Sequence, residues 1–265
     1  MYAFRGLSNV VLQGYRVDIT NETFLFLFGS SRKSYVPDFI SQMTGSSGDL
    51  NLTCLAFGIL ATLIYILMTV RKILVQKKLN IHQSIISQSI TTGIISVVIL
   101  FLTWQMANYR GIPMVLIWIG LVLGVYQYIT TKTAIGRHLY AVGGNEKATA
   151  LSGVKTRNVY WFAYASIGLM AGLAGILTAA RAKGIDPTYG EGYEMDAIAS
   201  CFIGGASAYG GIGKVSGMII GAVLMGVINQ GMNMVGVDSN YQKVVKGLVR
   251  LASVIFDVVS KKKNS

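Results

Sequence analysis

Few residues in this chain could do chemistry, and most fail on spacing. Gly210-Gly-Ile-Gly-Lys-Val215 has the outline of a phosphate-binding turn. A working one needs glycine, four residues, Gly-Lys and then a hydroxyl for magnesium. Here Ala208 stands at the first glycine and Val215 at the hydroxyl, so nucleotide binding by this chain is not expected. There are no paired carboxylates, no nucleophile elbow and no Cys/His cluster. Cys54 and Cys201 both lie in apolar runs, as buried thiols do. His82 and His138 lack metal-ligand spacing. Neither a metal nor a cofactor is implied, and an enzyme acting on its own is not expected.

Two amides are better placed. Asn229 and Asn233 are one helical turn apart and share a face of an apolar helix. Polar groups at membrane depth are costly and often line a pathway. A neutral solute rich in hydroxyls offers groups that donate and accept, which an amide matches without charge. The other reading is that these amides only bond a neighbouring helix. Glu194 and Asp196 lie at what would be an outer mouth, to meet an outside partner or to bond into the scaffold.

The most motif-like stretch is Gly136-Arg-His-Leu-Tyr-Ala-Val-Gly-Gly-Asn-Glu-Lys-Ala-Thr-Ala-Leu-Ser-Gly153. Asn145 is placed to cap a short helix, with Glu146 in its first turn against the positive end of the dipole. Gly153 is placed to close that helix in the left-handed conformation. Ala148, Ala150 and Ser152 keep its surface low enough to sit in a partner's groove. A helical loop with no special role is the bland alternative.

This stretch resembles the cytoplasmic loop of bacterial sugar ABC-transporter permeases of the ribose/xylose/arabinose group. Those loops read Gly-Arg, an aromatic, Ala, a Gly pair, Asn-Glu, small residues and a closing Ser-Gly. Tyr193-Glu-Met-Asp-Ala-Ile-Ala-Ser200, Gly204-Gly-Ala-Ser207, Asn229-Gln-Gly-Met-Asn233 and Tyr241-Gln-Lys-Val-Val-Lys246 match as well. The likeness covers nearly everything from Gly111 to Lys261 and is nearest to the D-xylose type.

The resemblance implies an all-α, polytopic transmembrane bundle of the importer-permease type in the bacterial cytoplasmic membrane. It makes residues 131–158 a cytoplasmic coupling loop within a single permease domain over 1–265. In that loop Gly136, Arg137, Gly143, Gly144, Asn145, Glu146, Ala148, Ala150, Ser152 and Gly153 would engage an ATP-binding subunit, and Asn229 and Asn233 would line the sugar pathway. The implied partners are that subunit, a second permease, an extracytoplasmic sugar-binding protein and membrane lipid. The family's earlier spans have no counterpart here, and Met1-Tyr-Ala-Phe-Arg-Gly6 looks like the inside of a span cut open. The N-terminal third of a full permease is therefore expected to be missing, through truncation, a late start or a separate chain. Permeases for branched-chain amino acids or nucleosides, and an inactive truncated product, are the alternatives.

The elements that must position these residues follow from composition. The chain has 265 residues, 52% hydrophobic and 13% charged, with mean hydropathy +0.54. Soluble domains average about 25% charged, so the chain falls in the membrane class. The net charge of +12 is not a nucleic-acid footprint, because the cations gather at the ends of apolar runs, as in cytoplasmic loops. Spans are expected at 51–70, 87–107, 114–129, 159–180, 215–235 and 244–259, with 195–209 as a thin span or a broken helix. That makes six or seven. Gly168, Gly172 and Gly175, and Gly213, Gly217 and Gly221, are stripes that let helices approach closely in lipid. A secondary transporter should carry acids for ion coupling deep in a span, and none of these spans holds one well inside.

Overall fold

The computed structural model describes residues 2–29, 34–44, 50–78 and 85–264. The stretch 79–84, with His82, and most of the polar loop expected around 30–49 lie outside the described residues. The fold is all-α, as the apolar runs require. In chain order the helices are α1 Tyr2–Leu12, α2 Glu22–Phe28, α3 Phe39–Thr44, α4 Leu52–Lys78, α5 Ile85–Tyr109 and α6 Met114–Lys132. They continue with α7 Ala134–Gly144, α8 Glu146–Leu151, α9 Thr156–Ala182, α10 Tyr193–Ile203, α11 Val215–Val235 and α12 Ser239–Asn264. One two-residue pairing, β1 Val17–Asp18 with β2 Gly184–Ile185, is antiparallel.

Among the described residues, five helices are long and apolar enough to cross a membrane: those at Leu52–Val75, Gln88–Tyr109, Met114–Lys132, Thr156–Ala182 and Val215–Val235. Two of the runs expected as spans are not among these five. The run at 195–209 holds a helix of only 11 residues, about 16 Å long. The run at 244–259 carries Lys246, Arg250 and Asp257 among its apolar residues, too many charges for a lipid-facing helix.

The chain folds as two compact units. One takes Met1–Asp18, Trp118–Ile176 and Gly184–Ser265; the other takes Ile19–Ile117 and Leu177–Lys183. In the second unit α4 and α5 run antiparallel. Asn51 N donates to Ala107 O at 3.1 Å, and Gly58 leaves room for the Thr103 side chain. Asp38 starts α4 by accepting from the Leu52 and Thr53 amides at 2.8 and 3.1 Å and from the Thr53 hydroxyl at 2.6 Å. Partial burial pushes its carboxyl upward, but these bonds and one from Ser41 outweigh that and hold it below the usual range.

In the first unit α10 lies antiparallel on α11. Asp196, in the first turn of α10, meets Asn229 in the last part of α11. Gly204, just past the end of α10, meets Gly217 near the start of α11. Gly217 and Gly221 make this possible. A Cβ on either would run into the carbonyl oxygen of Gly204 or Ser200, so only glycine lets the two backbones touch. Gly213 precedes α11, and a Cβ there would meet Ala206 only at an ordinary contact distance of 3.6 Å. The other stripe departs from expectation: Cβ atoms built on Gly168, Gly172 and Gly175 of α9 meet nothing within 4 Å among the described residues.

Candidate functional site

The candidate site is the arm formed by α7 and α8 together with the turn it rests on. α7 starts where Thr133 caps it, its side chain accepting from Gly136 N at 3.3 Å. Gly136 is buried at the elbow with α6, and a Cβ there would strike the carbonyls of Ile129 and Thr130. α7 and α8 share one junction residue, Asn145, which ends the first helix and caps the second. Its side chain accepts from Ala148 N at 3.0 Å, the expected N-cap bond.

α8 closes as its last residues dictate. Gly153 N donates to Ala150 O at 3.0 Å and Val154 N to Thr149 O at 3.3 Å. With Gly153 at φ +86°, this is the paired closure of a Schellman motif. The result is a six-residue helix fixed at both ends. Thr149 is its one buried residue and bonds back to Asn145 O at 2.7 Å. Glu146 is held too, since the Tyr160 hydroxyl on α9 donates to its carboxylate at 3.0 Å. Asn145, Glu146, Ala148, Ala150, Ser152 and Gly153 all face outward.

Two groups in this arm were not singled out by sequence reasoning. Leu151 is 90% exposed, more than any other large apolar residue described. Its signal was an apolar residue just before the Ser-Gly closure, where nothing in the helix can cover it. Tyr140 is the other. Its hydroxyl donates to Gly213 O at 2.7 Å, tying α7 to the turn between α10 and α11. Gly143 lies backbone to backbone on that turn: its Cβ would sit 2.6 Å from Gly211 N, and a Cβ on Gly210 would sit 2.6 Å from Gly143 O. Gly210 and Gly211 hold φ of +85° and +72°, conformations glycine adopts without penalty. The stretch with a phosphate-loop outline is therefore the seat of the arm.

The seat also settles how the chain returns. α9 leaves α8 and runs 27 residues, about 40 Å. By Gly210 the chain is back against α7. The return leg is α10 followed by a glycine turn, a helix broken at Gly204 and Gly205. Behind α8, a groove of about 540 Å³ is lined by residues that include His138, Ser152 and Lys155.

A family model described as branched-chain amino acid transport system / permease component matches residues 17–254. The chain belongs to this permease family. It is 40% identical over 168 residues to the ribose import permease protein RbsC of Escherichia coli K12, covering 63% of this chain and 52% of that protein. To RbsC of Bacillus subtilis 168 it is 43% identical over 149 residues, 56% and 46% of the two chains. To the xylose transport system permease protein XylH of Haemophilus influenzae Rd it is 35% identical over 189 residues, 71% and 50%. The chain thus spans about half the length of the curated relatives it matches. No solved structure matches it. With five apolar helices and bacterial permeases as relatives, it is a multi-pass protein of the bacterial inner membrane.

The permease carries its two amides at the other end of α11. Asn229 Nδ2 donates to Asp196 Oδ2 at 3.2 Å, and Asn233 Oδ1 accepts from Gln242 Nε2 of α12 at 3.0 Å. The acids at this end have partners within the chain: Glu194 pairs with Arg5 at 3.3 Å and Asp196 with Lys246 at 2.9 Å. Nearby, the Thr188 hydroxyl and amide donate to Asp186 at 2.6 and 2.9 Å. The hydroxyl bond is the main reason that this carboxyl sits below its usual range.

Proposed function

We propose that this chain is the membrane-spanning subunit of an ATP-driven importer for a monosaccharide of the xylose and ribose class. The observation that carries this reading is α8, capped at both ends, with Leu151 standing out of it. A lever must be rigid and must present a grip, and α8 has both. Asn145, Glu146, Ala148, Ala150, Leu151, Ser152 and Gly153 form the docking face for an ATP-binding subunit. Gly136, Gly143 and Gly144 let the arm lie close on α6 and on its seat, and Arg137 adds an exposed cation beside it.

In this reading the chain does no chemistry itself. ATP is hydrolysed by the partner, and closure of two such partners moves α8. Tyr140 and Gly143 pass the movement to the turn at Gly210–Lys214, and from there to α10 and α11. Asn229 and Asn233 line the sugar path. A second permease chain, an extracytoplasmic sugar-binding protein and surrounding lipid complete the assembly.

The test is to replace Glu146 and Ala150 by Trp, or Leu151 by Asp, and to pull down the co-expressed ATP-binding subunit. The expected outcome is at least a tenfold loss of association and of pentose uptake. Unchanged association and uptake would remove the proposal. A second reading, import of a branched-chain amino acid, has support in the family description. It also has support in the Asp196–Lys246 pair, which could exchange partners with a zwitterion. Uptake of L-leucine in place of pentose would favour it.

A further inference from the structure

The polar faces of α10, α11 and α12 converge at a place remote from the arm. Lys246 Nζ of α12 lies 2.9 Å from Asp196 Oδ2 of α10. The same oxygen accepts from Asn229 Nδ2 of α11 at 3.2 Å. The Lys246 and Asp196 side chains remain 23% and 19% exposed, so the pair is neither sealed off nor bathed in water. Asp196 also decides how the Asn229 amide lies, since only its NH2 end can face a carboxylate. The amide oxygen must then point away. That oxygen is buried and accepts no hydrogen bond from any described residue. A buried acceptor left unmatched is costly, and such a cost persists where a ligand supplies the missing donor.

The neighbourhood extends the pattern. One turn on, Asn233 faces Gln242, so α11 and α12 turn amide, amide and ammonium toward each other. α12 is the helix too charged to count as a lipid-facing span, and its charge at Lys246 is spent on this junction.

We propose that Asp196, Asn229 and Lys246 form a subsite for adjacent hydroxyls of a neutral polyol. One hydroxyl donates to Asn229 Oδ1. Its neighbour donates to the Asp196 carboxylate and accepts from the Lys246 ammonium. The paired charges cancel, so the subsite does not select for net charge, and it offers both donors and acceptors, as a hydroxyl pair requires. A zwitterion would have to open the ion pair before binding, whereas a hydroxyl joins it through the unmatched oxygen. The proposal rests on the sugar-import reading and names the groups that would hold the sugar.

The experiment uses the full chain in lipid nanodiscs with D-ribose and D-xylose as probes. Saturation-transfer NMR reports pentose binding. Acylation of lysines by an N-hydroxysuccinimide acetate, read by mass spectrometry, reports whether the sugar covers Lys246. The expected result is binding of at least one pentose, with acylation of Lys246 slowed at least threefold and that of Lys132 unchanged. Asn229→Leu, where it folds, should weaken the saturation signal at least tenfold. Binding of neither pentose removes the sugar reading and the subsite with it. Pentose binding that leaves Lys246 acylation unchanged leaves the sugar reading in place and overturns the subsite alone.

Discussion

α9 and α11 carry the same signature and use it differently. Each has small residues spaced so that a second helix could lie close. On α11 the opportunity is taken within the chain. Gly217 and Gly221 receive α10, and Gly204 reciprocates with its Cβ position 2.5 Å from Gly217 O. On α9, Cβ positions at Gly168, Gly172 and Gly175 meet nothing within 4 Å among the described residues. Gly172 instead lines an apolar groove of about 750 Å³ shared with α6, between residues such as Trp118, Val122, Leu169 and Ile176. A stripe of small residues states how near a partner can come. It does not state whether the partner belongs to the same chain.

Four substitutions bear on this contrast, and the first should be the most damaging. Gly221→Val places side-chain atoms where the Ser200 carbonyl stands. Backbone cannot step aside as a side chain can, so overpacking should cost about 3 kcal/mol and lower the thermal denaturation midpoint in detergent. Gly211→Ala comes next. Its left-handed φ disfavours a side chain by about 1–2 kcal/mol, and its Cβ would sit 2.9 Å from Gly144 Cα. The arm should lift from its seat, which limited proteolysis would report as faster cleavage between α7 and α9.

Tyr140→Phe removes only the bond to Gly213 O, so about 1 kcal/mol is expected, with the same proteolytic readout and a smaller change. Gly172→Ala should be nearly silent, within about 0.5 kcal/mol, by the same denaturation measurement on the isolated chain. A loss near that of Gly221→Val would abolish the distinction between the two helices, because it would mean that α9 also has a close neighbour.

The parts of the site that were legible in the sequence are those made by neighbours in the chain. Asn145 caps three residues ahead, and Gly153 closes a helix that began seven residues before it. Such bonds depend on local residue types, and the residue types announce them. The seat was not legible, because it joins Gly143 to Gly210 and Gly211 across more than sixty positions. The same glycines that allow it suggested a phosphate loop when read along the chain. α10 was half legible: Gly204 and Gly205 marked a break, but the antiparallel course against α11 needed the Gly217 and Gly221 contacts. Lys246 was legible only as the end of the Tyr241–Lys246 match, because its partner Asp196, fifty positions away, gives no local sign.

The contact between Gly143 and Gly210–Gly211 is main chain on main chain. A bearing of that kind has no rotamers and therefore no slack. Side chains that flex can absorb a small displacement, whereas two peptide planes in contact hand it on. Nor can such a bearing be adjusted by swapping one residue type for another. If the arm couples as proposed above, any adaptation to a different motor would have to be written at its tip, in Leu151 and the small residues around it, while the pivot stays the same.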